Sequence, residues 1–254
     1  MRPTNAVALG LGTILVLWKT PKRSGVIYVI GVLAVFVPWT LVTYHYYGTL
    51  LQPYDRATKL GLPSTFFESV AAQLVSPSRG LLIFSPIVLV GLAGLLIARR
   101  QKALTPLDVL SAVAIPCYLI VIALFPVWWA GTSFGPRFMT ETLPFFLVLS
   151  IPFVDWVVAW RADKPDNRPP LYRVGVIGLV VVLAFSVFVN AQGALLSSTI
   201  CWNLKAPGGV ASVDKDPARA WSWSNPQFVY GVRAIGSEGL GAAITRCPSG
   251  TPIP

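Results

Sequence analysis

The run Trp128-Trp129-Ala130-Gly131-Thr132-Ser133-Phe134-Gly135-Pro136-Arg137 carries the side chains best suited to holding a ligand. Two indoles can stack on a sugar ring, Ser133 offers a hydroxyl, and Arg137 presents a planar guanidinium at the start of an apolar run. A helix dipole favours anions at its N-terminus and cations at its C-terminus, so an arginine at the N-terminal end marks a place where something negative is held. The guanidinium fork adds to the anion preference of the helix start and suits a phosphate. Arg79 before Gly80 and Arg2 before Pro3 open two other apolar runs in the same way. Each of these arginines also has a plainer reading, as a partner for ordinary anionic head groups or a nearby carboxylate.

Trp128, Trp129, Ser133, Arg137 and Arg79 are therefore substrate-binding candidates, together with Glu141 and His45. Glu141 lies four residues after Arg137 and is also positioned for a structural ion pair, in the less favourable of the two orders. His45, the single histidine, sits in Tyr44-His45-Tyr46-Tyr47 without a cysteine or carboxylate cluster, which makes it a weak metal ligand. An aromatic belt at a membrane surface accounts for that stretch and equally for Trp128 and Trp129. Asp155 falls within an apolar run, where a carboxylate is costly and is a functional candidate by default. Its distance of six residues from Arg161 also fits an interfacial, snorkelling role. No glycine-rich phosphate loop, HExxH, zinc spacing or nucleophile elbow occurs. Asp55 and Glu68 are 13 residues apart and form no acid–base couple. No catalytic base, cofactor or metal is indicated.

The elements that must position these side chains are membrane helices. Of 254 residues, 54% are hydrophobic and 12% charged, about half the charge of a soluble domain. A helix crosses the hydrocarbon core with about 20 apolar residues. Six spans are expected, near 4–18, 25–43, 80–98, 107–127, 143–160 and 174–196, giving an all-α, polytopic bundle over 1–196. The net charge of +10 lies in short connections and points to topology, not to nucleic acid. Lys19, Lys22 and Arg23, then Arg99, Arg100 and Lys102, then Arg161, Lys164, Arg168 and Arg173 supply ten of the 20 basic residues. The positive-inside rule makes those loops cytoplasmic. The segments 44–79, 128–142 and 197–254, and both termini, are then external. A short interfacial helix is expected over Thr65–Leu74. The remainder, 197–254, reads as a small irregular external cap. Cys201 and Cys247 lie in it, where oxidation is possible, and a disulfide between them is expected, with two free thiols as the alternative. Cys117 is a packing residue within a span.

Several of these pieces, in order, resemble the C-terminal half of bacterial GT-C-type membrane glycosyltransferases, the superfamily of polyprenyl-phosphate-sugar-dependent mannosyltransferases. Arg2-Pro3-Thr4-Asn5 and Pro38-Trp39 with Tyr44–Tyr47 and Gly48 are similar to family patterns. Ser76-Pro77-Ser78-Arg79-Gly80-Leu81-Leu82-Ile83-Phe84-Ser85-Pro86 and Gly131–Arg137 are the most distinctive. Ala220-Trp221-Ser222-Trp223-Ser224-Asn225-Pro226-Gln227-Phe228 is similar to the tails of some members. The resemblance implies transfer of a sugar from a lipid-linked donor at the external face of the plasma membrane. It also implies that the catalytic acidic residue belongs to a first external loop, in an N-terminal half with no counterpart in this chain. The expected partners are the lipid-linked sugar donor, membrane lipids and a separate N-terminal catalytic half. The alternative is a non-catalytic membrane subunit that binds lipid or a partner protein.

Overall fold

The computed structural model describes residues 5–50, 62–162, 170–204, 212–245 and 247. Among these the chain is helical and no strand occurs. In order, the helices are α1 (Asn5–Lys19), α2 (Lys22–Tyr47), α3 (Phe66–Val75), α4 (Leu81–Phe84), α5 (Val88–Arg100), α6 (Pro106–Ala123), α7 (Leu143–Ala162), α8 (Pro170–Leu195), α9 (Ser198–Cys201), α10 (Tyr230–Glu238) and α11 (Leu240–Thr245). Short 3-10 turns cover Arg137–Thr142, Pro217–Trp221 and Gln227–Val229.

Four of these segments are long and apolar enough to cross a membrane: Lys22–Tyr47, Pro106–Ala123, Arg137–Trp160 and Leu171–Leu195. That is fewer than the six expected. The first predicted span, α1, has 15 residues. The third is broken, because Pro86 lacks an N–H and disfavours helical geometry at the residue before it. Ser85 accordingly takes φ −140° and ψ 61°, and α4 stops after four residues. The neighbouring α8 satisfies the backbone groups freed there. Asn190 Nδ2 donates to the Phe84 carbonyl (2.9 Å), and the Ile87 N–H donates to Ser186 Oγ (3.1 Å). Side chains of an adjacent helix thus take over the role that water would play outside a bilayer. Pro38, Pro116 and Pro152, by contrast, are accommodated inside continuous helices.

The tightest helix pair is α5 against α7. Gly91 and Gly94 make it possible: a Cβ on Gly94 would come within 2.0 Å of the Leu149 carbonyl oxygen, and one on Gly91 within 2.8 Å of that of Phe146. Small residues at such crossings let backbones approach where no hydrophobic force drives helices together in lipid. Leu81, Val88, Ile122, Met139 and Phe146 form the buried core beside this crossing. Thr105 and Asp108 close a capping box at the start of α6, with Pro106 in the first turn. It ties down the basic turn between α5 and α6. Outside this core the bundle exposes apolar surface, most of all along α2, whose main packing is against α1.

At the opposite end from the basic turns, α3, the loop 124–136 and residues 196–204 and 212–245 form a cap. Its C-terminal part is stapled by a disulfide between Cys201 and Cys247, as the sequence suggested.

Candidate functional site

The cap is organised around one side chain. Arg79 is completely buried, and all five of its N–H groups reach protein oxygens. Nε donates to the Trp129 carbonyl. Nη1 donates to the Ser78 carbonyl (2.8 Å) and Gln227 Oε1 (2.6 Å). Nη2 donates to the Gly131 carbonyl (3.0 Å) and Asn203 Oδ1 (2.6 Å). The guanidinium therefore joins the α3–α4 turn, the 128–137 loop and two separate parts of the tail. Its acceptors are neutral, and burial lowers its pKa to about 10, an effect partly opposed by the charge of Asp214. The group stays protonated at neutral pH. A buried cation without a carboxylate in contact is costly unless every donor is engaged, and here every donor is.

The acceptors are held in turn. Gln227 Nε2 donates to the Ser133 carbonyl (2.9 Å), while its Oε1 also receives the Gly135 N–H (3.2 Å). Asn203 Nδ2 donates to the same Ser133 carbonyl (3.0 Å). Both hydroxyls of the Ser76-Pro77-Ser78 turn donate to the Ala220 carbonyl (2.7 and 2.8 Å). Gln73 Nε2, from α3, donates to the Trp128 carbonyl (2.6 Å). Buried Trp202 stacks below the cluster with the guanidinium carbons of Arg219 and Arg79 at 4.7 and 5.7 Å from its ring. Burial lowers the pKa of Arg219, opposed by Tyr230 and then Asp216. A layer of rings fixes the loop to α4 and α8. Phe134 meets Phe84 edge-on at 5.1 Å and lies directly on Gly193, where any Cβ would come within 2.2 Å of its Cδ1. Ala130, at φ 61°, holds a left-handed conformation without being glycine, a strain that recurs at functional loops.

This geometry redistributes the roles expected of the site residues. Arg79 has no donor left for a phosphate; it builds the loop that Arg137 belongs to. Trp128 is buried against Ala72 and Ala220, so it cannot stack on a sugar. Trp129 is half-buried, with its Nε1 donating to Asp214 Oδ1 (2.8 Å). Ser133 is buried, and its Oγ has no partner among the described residues. Arg137 is exposed and Glu141 half-buried on the 3-10 turn Arg137–Thr142 that leads into α7. His45 is exposed near the end of α2, in edge contact with Tyr46, and belongs to a different element from the cluster. Arg2 and Asp55 lie outside the described residues. Among the described residues no group of three or more His, Cys, Asp or Glu is placed to hold a metal.

Sequence reasoning missed Gln227 and Asn203, the two amides that complete the Arg79 cluster. Their one signal is local: each adjoins a tryptophan or proline in a tail with little apolar periodicity, where a polar residue gains by being buried with partners.

No protein family, curated protein or solved structure matches this chain. The class it defines on its own features is a helical membrane protein with a disulfide-stapled cap at one end.

Proposed function

We propose that this chain is the donor-holding portion of a GT-C-like membrane glycosyltransferase, binding a polyprenyl-phosphate-linked sugar at the cap. The cap faces the outside of a bacterial plasma membrane. The basic turns near Lys22, Arg99–Lys102 and Arg173 face the cytoplasm. In this topology α1 and the α4–α5 pair count with the four long helices as six crossings, the broken α4–α5 segment and short α1 lying against their neighbours, and both termini are external. Catalysis requires a separate half that supplies the acidic residue, and the open apolar surface of α2 is where its helices would pack.

One observation carries this reading. The three pieces on which the resemblance rests, Ser76–Pro86, Gly131–Arg137 and Ala220–Phe228, are far apart in sequence, yet they meet around Arg79. A buried and poorly screened positive charge lies directly behind the loop, and at low dielectric it contributes to an anion-attracting field that water would quench. Arg137 is the exposed guanidinium on the outer side of that loop and is assigned the phosphate. Trp129 is assigned the sugar side.

The test is photo-crosslinking with a polyprenyl-phosphate hexose that carries a photoactivatable group in its first isoprene units. Adducts are expected on peptides spanning 128–142, competed by unlabelled polyprenyl phosphate. Adducts spread evenly over the lipid-facing helices, without competition, would reject the proposal.

A further inference from the structure

A groove opens at the other end of the bundle from the cap, between α7 and the turn joining α5 to α6. It has a volume of about 770 Å³ and no part in the cap. One face of α7 lines it from end to end. Val148, Ile151 and Pro152 form its membrane-ward stretch, and Asp155, Trp156 and Trp160 form the stretch nearest the basic turn. Gln101 and Thr105 close the polar end. Asp155 is exposed on the groove wall, and no hydrogen bond or ion pair joins it to another described residue. A carboxylate on a membrane helix calls for a partner of opposite charge. A carboxylate that shares a groove wall with indoles can recognise an organic ammonium, through charge and through the ring faces.

The rim supplies a second charge. Arg99, Arg100 and Lys102 are exposed on the turn beside Gln101. Lys102 adopts φ 55° at the end of α5, where the Ala103 N–H returns to the Ala98 carbonyl (2.9 Å). That left-handed position strongly favours glycine, so Lys102 stands there against its backbone preference, in sequence between Gln101 and Ala103, which line the groove. The groove thus offers an apolar trough, two carboxylates of which Asp108 is engaged by Thr105 and Asp155 is not, indoles on the same wall, and cations on the adjoining turn. From these we infer that the groove binds a phospholipid whose head group ends in a primary ammonium. The acyl chain follows Val148–Pro152, the ammonium meets Asp155 on the wall it shares with Trp156 and Trp160, and the phosphate meets Lys102. The apolar trough commits the site to a lipid in preference to a free amine.

The test uses the full chain in detergent mixed with phosphatidylethanolamine, its N-acetylated form or phosphatidylglycerol, with retained lipid counted by native mass spectrometry. Phosphatidylethanolamine is expected to be retained roughly tenfold over the N-acetylated lipid, the scale of one hydrogen bond to a charged group. Asp155→Asn should abolish that preference. Lys102→Gly should lower retention of every lipid while raising the unfolding temperature. Equal retention of the N-acetylated lipid or of phosphatidylglycerol overturns the inference, as does an unchanged preference in Asp155→Asn. A copurifying protein that fills the groove in place of lipid overturns it too. Should Asp155→Asn fail to fold, Trp160→Phe decides the matter: ammonium preference must fall several-fold, and an undiminished preference rejects the site.

Discussion

Replacing Arg79 by alanine removes all five hydrogen bonds of the cluster at once. The consequences follow from what each acceptor retains. Gln227 Oε1 keeps the Gly135 N–H and the Gly131 carbonyl keeps the Ser133 N–H, whereas Asn203 Oδ1 and the carbonyls of Ser78 and Trp129 lose the donor that Arg79 supplied. A buried polar group left unpaired costs about 1–3 kcal/mol. Water entering the emptied volume can recover part of that for the carbonyls nearest the surface. Relief from burying a lone cation offsets a further part, so a net loss of about 3–4 kcal/mol is expected, in the range for breaking a buried ionic cluster. Arg79→Lys keeps the charge but has three donors in place of a five-donor fork, and about half that loss is expected. The assays are thermal unfolding in detergent and limited proteolysis. The tail from Asn203 onward should become protease-sensitive at a temperature where the α5–α7 pair still resists. The reasoning is refuted if Arg79→Ala leaves both the unfolding temperature and tail protection unchanged while abolishing binding of polyprenyl phosphate. Arg79 would then be a ligand contact.

Further outcomes follow from the same geometry. Arg79 is protonated in both folded and unfolded chains below its folded pKa of about 10, so it gives cap stability no pH slope between pH 6 and 9. From about 10 up to the unfolded value the unfolded chain binds more protons, and this group's contribution to stability rises with pH; base titration of tail proteolysis in wild type against Arg79→Ala checks the sign. Gly193→Ala should cost about 1–3 kcal/mol by overpacking against Phe134, visible as a lower unfolding temperature. Reduction of Cys201–Cys247, which closes a loop of 46 residues, should cost about 4 kcal/mol on the chain-entropy account and free α10 and α11 to proteolysis. Ala130→Gly relieves about 1–2 kcal/mol of left-handed strain against an entropic cost of up to about 1 kcal/mol, so the unfolding temperature should rise slightly.

The helices that rest on apolar length were the legible part of the sequence. The bounds expected for α2, α7 and α8 differ from the observed ones by no more than a turn or so at their ends. The interfacial helix expected over Thr65–Leu74 is found as Phe66–Val75. Its inward face carries Ser69 and Gln73 while Phe67 is fully turned out, the arrangement expected of a helix with protein on one side and lipid on the other. The broken third span was harder to read, because Pro38, Pro116 and Pro152 sit in continuous helices and only Pro86 interrupts one. The deciding features are Asn190 and Ser186 on α8, about 100 residues away in sequence. The role of Arg79 was hidden for the same reason: its acceptors at Trp129, Gly131, Asn203 and Gln227 lie 50 to 148 residues away. An arginine before a glycine at a helix start reads identically whether it faces a phosphate or five protein oxygens.

The central claim is that Arg79 builds the cap loop and Arg137 uses it to hold a lipid-linked phosphate. Its most direct test is the affinity of the full chain, in lipid nanodiscs, for polyprenyl phosphate, measured for wild type, Arg137→Ala and Arg137→Lys. Both variants should still fold and keep the cap protected from protease. Arg137→Ala should bind at least about tenfold more weakly, the scale of a lost charged hydrogen bond, and Arg137→Lys should fall between the two because it keeps the charge without the planar fork. Equal affinity across all three proteins would contradict the account.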